Sequence, residues 1–237
     1  MPKIQILDEH TINQIAAGEV IERPASVVKE LVENSLDAGA KNIWIRIEEG
    51  GTSLIVVRDD GKGMDRIDAE NAFKKHATSK IRIFDDLQTV NTSGFRGEAL
   101  PSIASISRLR MSTCAKGEDM GTQITIEGEN DLLIEELATP QGTKIEVADL
   151  FFNTPVRSKY LKRVSTELQH IVKIVTVEAI RRPDVSFTLN HGERKIIDAP
   201  ESDLKTRIGV LLGNDAAKEL IEFKGDSEDF QLRGFLT

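Results

Sequence analysis

Hydrophobic and polar residues alternate along much of the chain in patterns that predict both strands and helices. Residues 42–48 place isoleucine at every second position, and a second apolar run at residues 54–58 follows a turn at Gly50-Gly51. Alternation with a period of two is typical of strands that bury one face, so we predict a β-hairpin here. Further strands are predicted at residues 108–113, 122–127, 133–137, 143–147, 185–190, 195–197, 219–223 and 230–235.

Hydrophobic residues spaced three and four apart predict helices between these strands. A first helix is predicted at residues 8–17, and a second begins with Pro24, a residue favoured in the first helical turn, and ends before Gly39. Further helices are predicted at residues 65–73, 98–105, 155–182 and 204–212. The fold class is therefore α+β, with an antiparallel or mixed β-sheet that carries its helices on one face.

The second helix carries a polar stripe with a chemical use. Glu30, Asn34 and Asp37 recur at i, i+4 and i+7 and therefore share one face. A carboxamide oxygen suits Mg²⁺, which completes its coordination with water and substrate phosphates. A carboxylate one turn earlier suits a general base. An amphipathic helix with a solvated polar face would show the same pattern, so this stripe alone leaves both interpretations open.

Two strand ends predict contacts to a flat ring. Asp59 ends the second predicted strand and precedes Gly61 and Gly63, so its carboxylate can accept an exocyclic amino hydrogen while the glycines let the backbone approach the ring. Thr143 follows Gly142 at the start of a later strand and is a second candidate for a polar contact to the base. Plain tight turns are the alternative at both places.

A long polar stretch, residues 76–100, predicts a loop that moves or binds a ligand. Gly94 and Gly97 bracket a turn into a helix, whose first free N–H groups would form an anion site. Arg96 and Lys80 would add positive charge to that site. A glycine-rich surface loop before an ordinary helix is the alternative.

The composition is that of a folded protein, with 39% hydrophobic and 30% charged residues among 237. One cysteine, Cys114, rules out an intramolecular disulfide, and no charged-then-apolar leader is found, so we expect a reducing cytoplasm. The net charge of -8 argues against a chain that coats itself with nucleic acid.

A local basic region departs from this acidic average. Residues 157–182 contain seven basic and two acidic residues. A solvated helix face is one explanation, and contact with DNA phosphates is the other. The candidate DNA-binding residues are Arg157, Lys159, Lys162, Arg163, Lys173, Arg181 and Arg182.

Taken in order, these motifs resemble the nucleotide site of the GHKL ATPases, which include gyrase B subunits, heat-shock chaperones, sensor histidine kinases and MutL-type mismatch repair proteins. The segments that carry the resemblance are residues 30–40, 59–63, 78–80, 94–100 and 142–143. Residues 15–24 and the segment Leu150-Phe-Phe-Asn-Thr-Pro155 resemble MutL-type proteins in particular. The resemblance is dense to about residue 165 and looser beyond it.

The resemblance implies a role for each matching residue. Glu30 would be the general base for water attacking the γ-phosphate of ATP, Asn34 would bind Mg²⁺, and Asp59 would bind the adenine amino group. Residues 78–80 and 94–100 would form a lid over the phosphates. The ATP-binding residues it implies are Asn34, Ala38, Asp59, Gly61, Gly63, Met64, Thr78, Ser79, Lys80, Gly94, Phe95, Arg96, Gly97, Glu98, Ala99, Leu100 and Thr143.

The resemblance also implies what the protein does. Slow, Mg²⁺-dependent ATP hydrolysis would drive lid closure and pairing of two N-terminal regions, in a homodimeric clamp or matchmaker between a mismatch-recognition protein and downstream repair enzymes on DNA. DNA binding would be weak and salt-sensitive, and no membrane is involved. A gyrase B-type topoisomerase subunit, or a nucleic-acid-binding module with a vestigial pocket, is the alternative.

The same resemblance predicts the domain organisation. Residues 1–200 would form the ATP-binding domain, and residues 201–237 would begin an incomplete second domain of the ribosomal S5-like type. In the family this second domain supplies a lysine to the γ-phosphate, and a distant C-terminal domain dimerises the protein and in some members cuts DNA. No position here matches that lysine or a nuclease site, so we expect the chain to be a fragment without full ATPase activity.

Overall fold

The structure is a computed structural model, and it describes Gly18, Ala77 and residues 20–74, 97–128, 132–226 and 231–236. The helix predicted at residues 8–17 lies outside the described residues. So do the lid residues Thr78, Ser79, Lys80, Gly94, Phe95 and Arg96.

The helices and strands follow one another in short elements. The helices are α1 (Pro24–Asp37), α2 (Arg66–Asn71), α3 (Ala99–Ser105), α4 (Pro155–Ser158), α5 (Val164–Arg181), α6 (Leu204–Leu212) and α7 (Asn214–Glu219). The strands are β1 (Asn42–Glu48), β2 (Leu54–Asp59), β3 (Arg108–Cys114), β4 (Gly121–Glu127), β5 (Leu133–Leu137), β6 (Gly142–Ala148), β7 (Ser186–His191), β8 (Arg194–Ala199), β9 (Ile221–Asp226) and β10 (Gln231–Leu236). Among the described residues, no helix is long and apolar enough to cross a membrane.

Eight strands form one mixed sheet, in the order β5-β4-β3-β6-β2-β1-β7-β8. Strand β7 pairs with β1 in parallel, and the other neighbouring pairs are antiparallel. Strands β9 and β10 form a separate two-stranded sheet. The mixed sheet agrees with the predicted fold class, and the predicted hairpin is β1–β2.

The core lies between the sheet and the helices on one of its faces. On β1 the isoleucines at positions 43, 45 and 47 are fully buried, as are Val28 and Leu31 of α1. Helix α1 packs against both β2 and α5. On the opposite face of β1, Trp44 is 40% exposed, and the Arg58 guanidinium lies 5.0 Å from the centre of its ring. The period-two pattern therefore identified the buried face correctly.

The single helix predicted at residues 155–182 was wrong, because α4 and α5 are separate. Arg163 is extended at the start of α5, and the Lys162 N–H donates to Oε1 of buried Glu167 at 2.9 Å. A side-chain acceptor for an N–H at a helix start favours a new helix there. Helix α7 was not predicted, and β9 begins two residues later than expected.

A buried arginine joins α6 to the first sheet and its helices. Arg207 has no exposed surface, and its guanidinium donates to the carbonyls of Ala179, Pro183, Val185 and Pro200 at 2.7 to 3.1 Å. These carbonyls belong to the end of α5, the connection to β7 and the end of β8. Burial lowers the pKa of Arg207, yet the carbonyls supply the negative ends of dipoles that a buried cation requires.

We predict that Arg207→Met lowers the free energy of unfolding by at least about 3 kcal/mol, because it leaves several buried carbonyls without donors. Arg194→Met, at an exposed position on β8, is the control and should change stability by less than about 0.5 kcal/mol. Urea denaturation measures both values. Similar, small losses for the two variants would show that the carbonyl contacts of Arg207 do not hold α6 in place.

Candidate active site

Helix α1 presents two of its three predicted polar residues in a half-buried position. Glu30 and Asn34 are half-buried, whereas Asp37 is exposed. The Lys29 ammonium lies 4.0 Å from Glu30 Oε1 and 3.5 Å from Glu33 Oε1. The structure therefore places Glu30 and Asn34 together at the margin of the core.

The carboxylate of Asp59 lies at the end of β2 and is only 6% exposed. Its Oδ1 accepts from the Gly61 N–H at 2.9 Å, and its Oδ2 accepts from the Ser35 hydroxyl at 2.8 Å. The Thr143 N–H also stabilises the charged form. Burial nevertheless raises the pKa of Asp59. Because a carboxylate offers about four acceptor positions, the two hydrogen bonds from Gly61 and Ser35 leave room for a ligand N–H.

The neighbouring carboxylate, Asp60, has a structural role. Its Oδ1 accepts from the N–H groups of Lys41 and Asn42 at 2.8 Å each, and its Oδ2 accepts from the Asn42 amide at 2.7 Å. Burial opposes its charged form, but the hydrogen bonds from Asn42 and Lys41 lower the pKa of Asp60 overall. Asp60 thus fastens the end of β2 to the start of β1, and Asp59 is the carboxylate available to a ligand.

The glycines after Asp59 allow a turn that fits tightly against α1 and β3. The Lys62 N–H donates to the Ala38 carbonyl at 3.0 Å, and the Gln141 amide donates to the Gly61 carbonyl at 3.0 Å. Gly63 has a φ of 65°, and a Cβ there would lie 1.8 Å from the Cys114 carbonyl oxygen. Only glycine fits this position, since the backbone angle and the available space both exclude a side chain.

Three polar side chains form a row across the strand ends beside this turn. Thr143 on β6 pairs with Asp59 on β2 and with Thr113 on β3. The Thr113 hydroxyl lies 3.0 Å from the Met64 nitrogen, 3.1 Å from the Gly142 oxygen and 3.0 Å from the Thr143 hydroxyl. These three strands therefore place a row of polar groups, here called the polar floor of the candidate pocket, next to the turn.

Of the predicted lid, the described part is the end that enters α3. Gly97 has a φ of 63°, and a Cβ there would lie 2.4 Å from the Ala77 carbonyl oxygen. Glu98 precedes the first residue of α3, Ala99, and Leu100 packs partly against the core. Ala77, which precedes the predicted lid, thus lies against Gly97 in its second segment.

The seven candidate DNA-binding residues fall into two groups. Arg157 donates to the Ile21 carbonyl at 3.3 Å, Arg181 donates to Glu178, and Arg182 donates to Asp184. In the described part of the chain, no salt bridge involves the other four, which are exposed: Lys159, Lys162, Arg163 and Lys173. Three of the seven basic side chains therefore already contact groups within the protein.

The sequence patterns missed Ser35, Thr113 and Gln141. Ser35 lies on the packed face of α1, one turn after Leu31, where a lone hydroxyl among apolar residues signals a buried hydrogen bond. Thr113 follows Leu109 and Met111 on the buried face of β3, and the same signal applies. The contact that Gln141 makes with Gly61 had no signal, because its length and direction depend on the fold.

Comparison with known families gives one match over more than half the chain. Residues 21–149 match the family described as histidine kinase-, DNA gyrase B- and HSP90-like ATPases. These residues contain Glu30, Asn34, Asp59 and Thr143.

Individual relatives extend the similarity to the rest of the chain. The chain is 47% identical to the DNA mismatch repair protein MutL of Anaeromyxobacter sp. (strain K) over its whole length, and 51% identical to that of Koribacter versatilis over 93% of it. It spans 39% and 34% of the lengths of those two relatives. A solved structure of the Aquifex aeolicus MutL ATPase domain complexed with ADP is 33% identical, with a TM-score of 0.71, covering 92% of this chain and 78% of that one.

The two adjacent aspartates predict opposite pH effects on stability. The raised pKa of Asp59 means that its charged form destabilises the folded state, so wild type loses stability relative to Asp59→Asn as the pH rises above about 4. Asp60 has a lowered pKa, so wild type loses stability relative to Asp60→Asn as the pH falls below about 4. Urea denaturation between about pH 2 and pH 7 covers both changes, and stability should fall with rising pH for the first comparison and rise with pH for the second. Differences of the same sign would contradict the assignment of the two carboxylates.

Proposed function

Because the chain belongs to the histidine kinase-, DNA gyrase B- and HSP90-like ATPases, and among them to the MutL mismatch repair family, we propose that it binds ATP with Mg²⁺ and hydrolyses it slowly. The observation that carries this proposal is the buried Asp59 carboxylate, which accepts hydrogen bonds from Ser35 and Gly61, keeps acceptor capacity for a ligand, and lies close to the half-buried face of α1. An N–H of an adenine amino group would donate to a remaining acceptor position of that carboxylate.

The rest of the pocket fits a flat base. Gly61 and Gly63 let the turn pack directly against Ala38 and Cys114, which holds its backbone beside the position proposed for the base. Met64 and Ala38 are half-buried beside the turn, and Thr143 offers a second polar contact from β6. This arrangement supports the proposed roles of these residues in ATP binding.

The polar residues of α1 fit the phosphate end of the nucleotide. Asn34 would give one carboxamide oxygen to Mg²⁺, and this donor set suits an ion that takes most of its ligands from water and phosphates. The ion, when bound, neutralises charge on the phosphates. Glu30, one turn away, would accept a proton from the water whose oxygen bonds to the γ-phosphorus while the bond to the β–γ bridging oxygen breaks. ADP and phosphate are the products.

We propose that this ATP cycle drives a clamp in mismatch repair. Nucleotide binding would close the lid around residues 78–80 and 94–100, pair two copies of the chain, and recruit a mismatch-recognition protein and downstream repair enzymes on DNA in the cytoplasm. Relatives named as MutL support this reading over a gyrase B-type subunit. The chain spans about two fifths of such relatives, so a nuclease, where one exists, would lie outside it.

We propose a domain boundary near residue 200. The eight-stranded sheet ends with β8 at Ala199, and β9 and β10 form their own sheet. Helix α6 nevertheless packs against α5 through Arg207. Residues 201–237 would therefore begin the second, S5-like domain with a helix that is already attached to the first.

We propose that the connection between α4 and α5 is the part of the basic region that contacts DNA. Lys159, Lys162 and Arg163 are exposed within five residues of one another, and Tyr160 between them is 78% exposed. Exposed cations beside an aromatic ring are typical of surfaces that contact nucleic acid backbones and bases. Arg181 and Arg182, which bind Glu178 and Asp184, are less suited to such contacts.

We predict that Glu30→Ala binds ATP but hydrolyses it about 10² to 10⁴ times more slowly, since the general base is lost.

Asn34→Ala should weaken nucleotide binding about tenfold or more with Mg²⁺ present and little without it, since one of the few protein oxygens on the ion is removed. Titration with an ATP analogue and a single-turnover assay measure these effects, and molecular mass in the same samples reports whether two copies pair.

The control for both variants is Glu193→Ala, which removes an exposed carboxylate from the β7–β8 turn. It should leave binding and turnover unchanged. Normal hydrolysis by Glu30→Ala would refute the assigned base, and Mg²⁺-independent loss in Asn34→Ala would refute the assigned metal ligand. Failure of the wild-type chain to bind any nucleotide would refute the proposed function as a whole.

We predict that the triple variant Lys159→Ala, Lys162→Ala, Arg163→Ala binds duplex DNA more weakly, with a salt dependence reduced by about two to three in the slope of log K against log salt, because each lost phosphate contact removes about 0.9. The double variant Arg181→Ala, Arg182→Ala is the matched control and should keep the wild-type slope. Fluorescence anisotropy over a series of salt concentrations measures both slopes. A larger effect in the double variant would place the DNA contact elsewhere on α5.

A further inference from the structure

Thr113 is a fully buried threonine that a bound base would not touch, and it lies at one end of the polar floor, next to Thr143. It has 0% exposure, and its hydroxyl has three neighbours within hydrogen-bonding distance: the Met64 nitrogen, the Gly142 oxygen and the Thr143 hydroxyl. Two of these neighbours have fixed roles. The Met64 N–H can only donate, and the Gly142 carbonyl can only accept.

The proton count fixes the third contact. A threonine hydroxyl donates one hydrogen bond and accepts two. If Thr113 donates to the Gly142 carbonyl, it can accept from both Met64 and Thr143, and every group is satisfied. If Thr113 donates to Thr143 instead, this contact with Gly142 brings two oxygens to 3.1 Å without a hydrogen between them. Because a buried group cannot turn to water, the first arrangement is favoured.

In the favoured arrangement, the Thr143 proton points inward to Thr113. The Thr143 oxygen then presents only lone pairs toward the pocket. Asp59, the strand partner of Thr143, likewise presents a carboxylate acceptor there. Two acceptors side by side suit an exocyclic amino group, and they repel a keto oxygen at the same ring position.

We propose that Thr113 is a positioning residue for base selection: by accepting the Thr143 proton, it makes the pocket select a 6-amino purine over a 6-keto purine. The inference rests on the proposed nucleotide function and adds a specificity-determining residue behind the residues that touch the base. A site built with buried acceptors discriminates strongly against a ligand that cannot donate, because the unmatched polar groups stay unpaired.

The test compares the affinities of the Mg²⁺ complexes of adenosine and guanosine 5′-(β,γ-imido)triphosphate, measured by calorimetry. Wild type should prefer the adenine nucleotide by at least about a hundredfold. Thr113→Val keeps the shape of the side chain and frees the Thr143 proton to turn outward, so the preference should fall at least about tenfold, with tighter binding of the guanine nucleotide. Thr113→Ser keeps the hydroxyl and should keep the preference.

A double-mutant cycle separates this role from general damage to the pocket. In a Thr143→Val background, Thr113→Val should cause no further change in the adenine-to-guanine ratio, because its effect passes through the Thr143 hydroxyl. If Thr113→Val does not fold, Thr113→Cys, whose thiol is a weak donor and acceptor, should lower the ratio to an intermediate value.

The failures are distinguishable. A wild type that binds neither nucleotide refutes the proposed function. A wild type that binds the adenine nucleotide selectively, together with an unchanged ratio in the Thr113 variants or an equal loss in the Thr143→Val background, overturns the role of Thr113 and leaves ATP binding intact.

Discussion

The burial of one negative charge organises this structure. Asp59 lies at the end of a central strand with almost no access to water, and folding must surround its carboxylate with hydrogen-bond donors. The two donors come from Ser35 of α1 and from the Gly61 turn, and the backbone of Thr143, the strand partner of Asp59 on β6, also favours the charged form. These elements can meet only if β2 lies between β6 and β1 and α1 covers them. The strand order therefore brings stabilising groups to the Asp59 carboxylate in addition to burying the hydrophobic core.

The buried charge of Arg207, unlike that of Asp59, has a purely structural role. The Arg207 guanidinium reaches carbonyls at the end of α5, the end of β8 and the connection between α5 and β7. Backbone groups surround it on several sides, and the contacts join elements that are distant in sequence. Asp59, which is 6% exposed, lies instead at a strand end beside the half-buried face of α1. A buried charge with a shifted pKa that an incoming donor can reach is one that a ligand can stabilise.

The sequence predicted local features well and long-range contacts poorly. The β1–β2 hairpin, helix α6 and the shared face of Glu30 and Asn34 follow from periodicity, which depends on neighbours along the chain. The break between α4 and α5 depends on Glu167, whose side chain reaches back to the Lys162 N–H from inside the next helix. The parallel pairing of β7 with β1 and the contact between Thr113 and Thr143 join strands far apart in the chain, and no local pattern encodes such a register.

The side chain of Trp44, the only tryptophan in the chain, lies on the face of the sheet opposite the pocket, against Arg58 and between the paired strands β2 and β7. Its intrinsic fluorescence therefore reports on the middle of the eight-stranded sheet. Emission excited at the tryptophan band should follow the separation of β1 from its neighbours during unfolding. The same signal should respond little to a ligand on the helical side, because the sheet itself lies between the indole and that ligand.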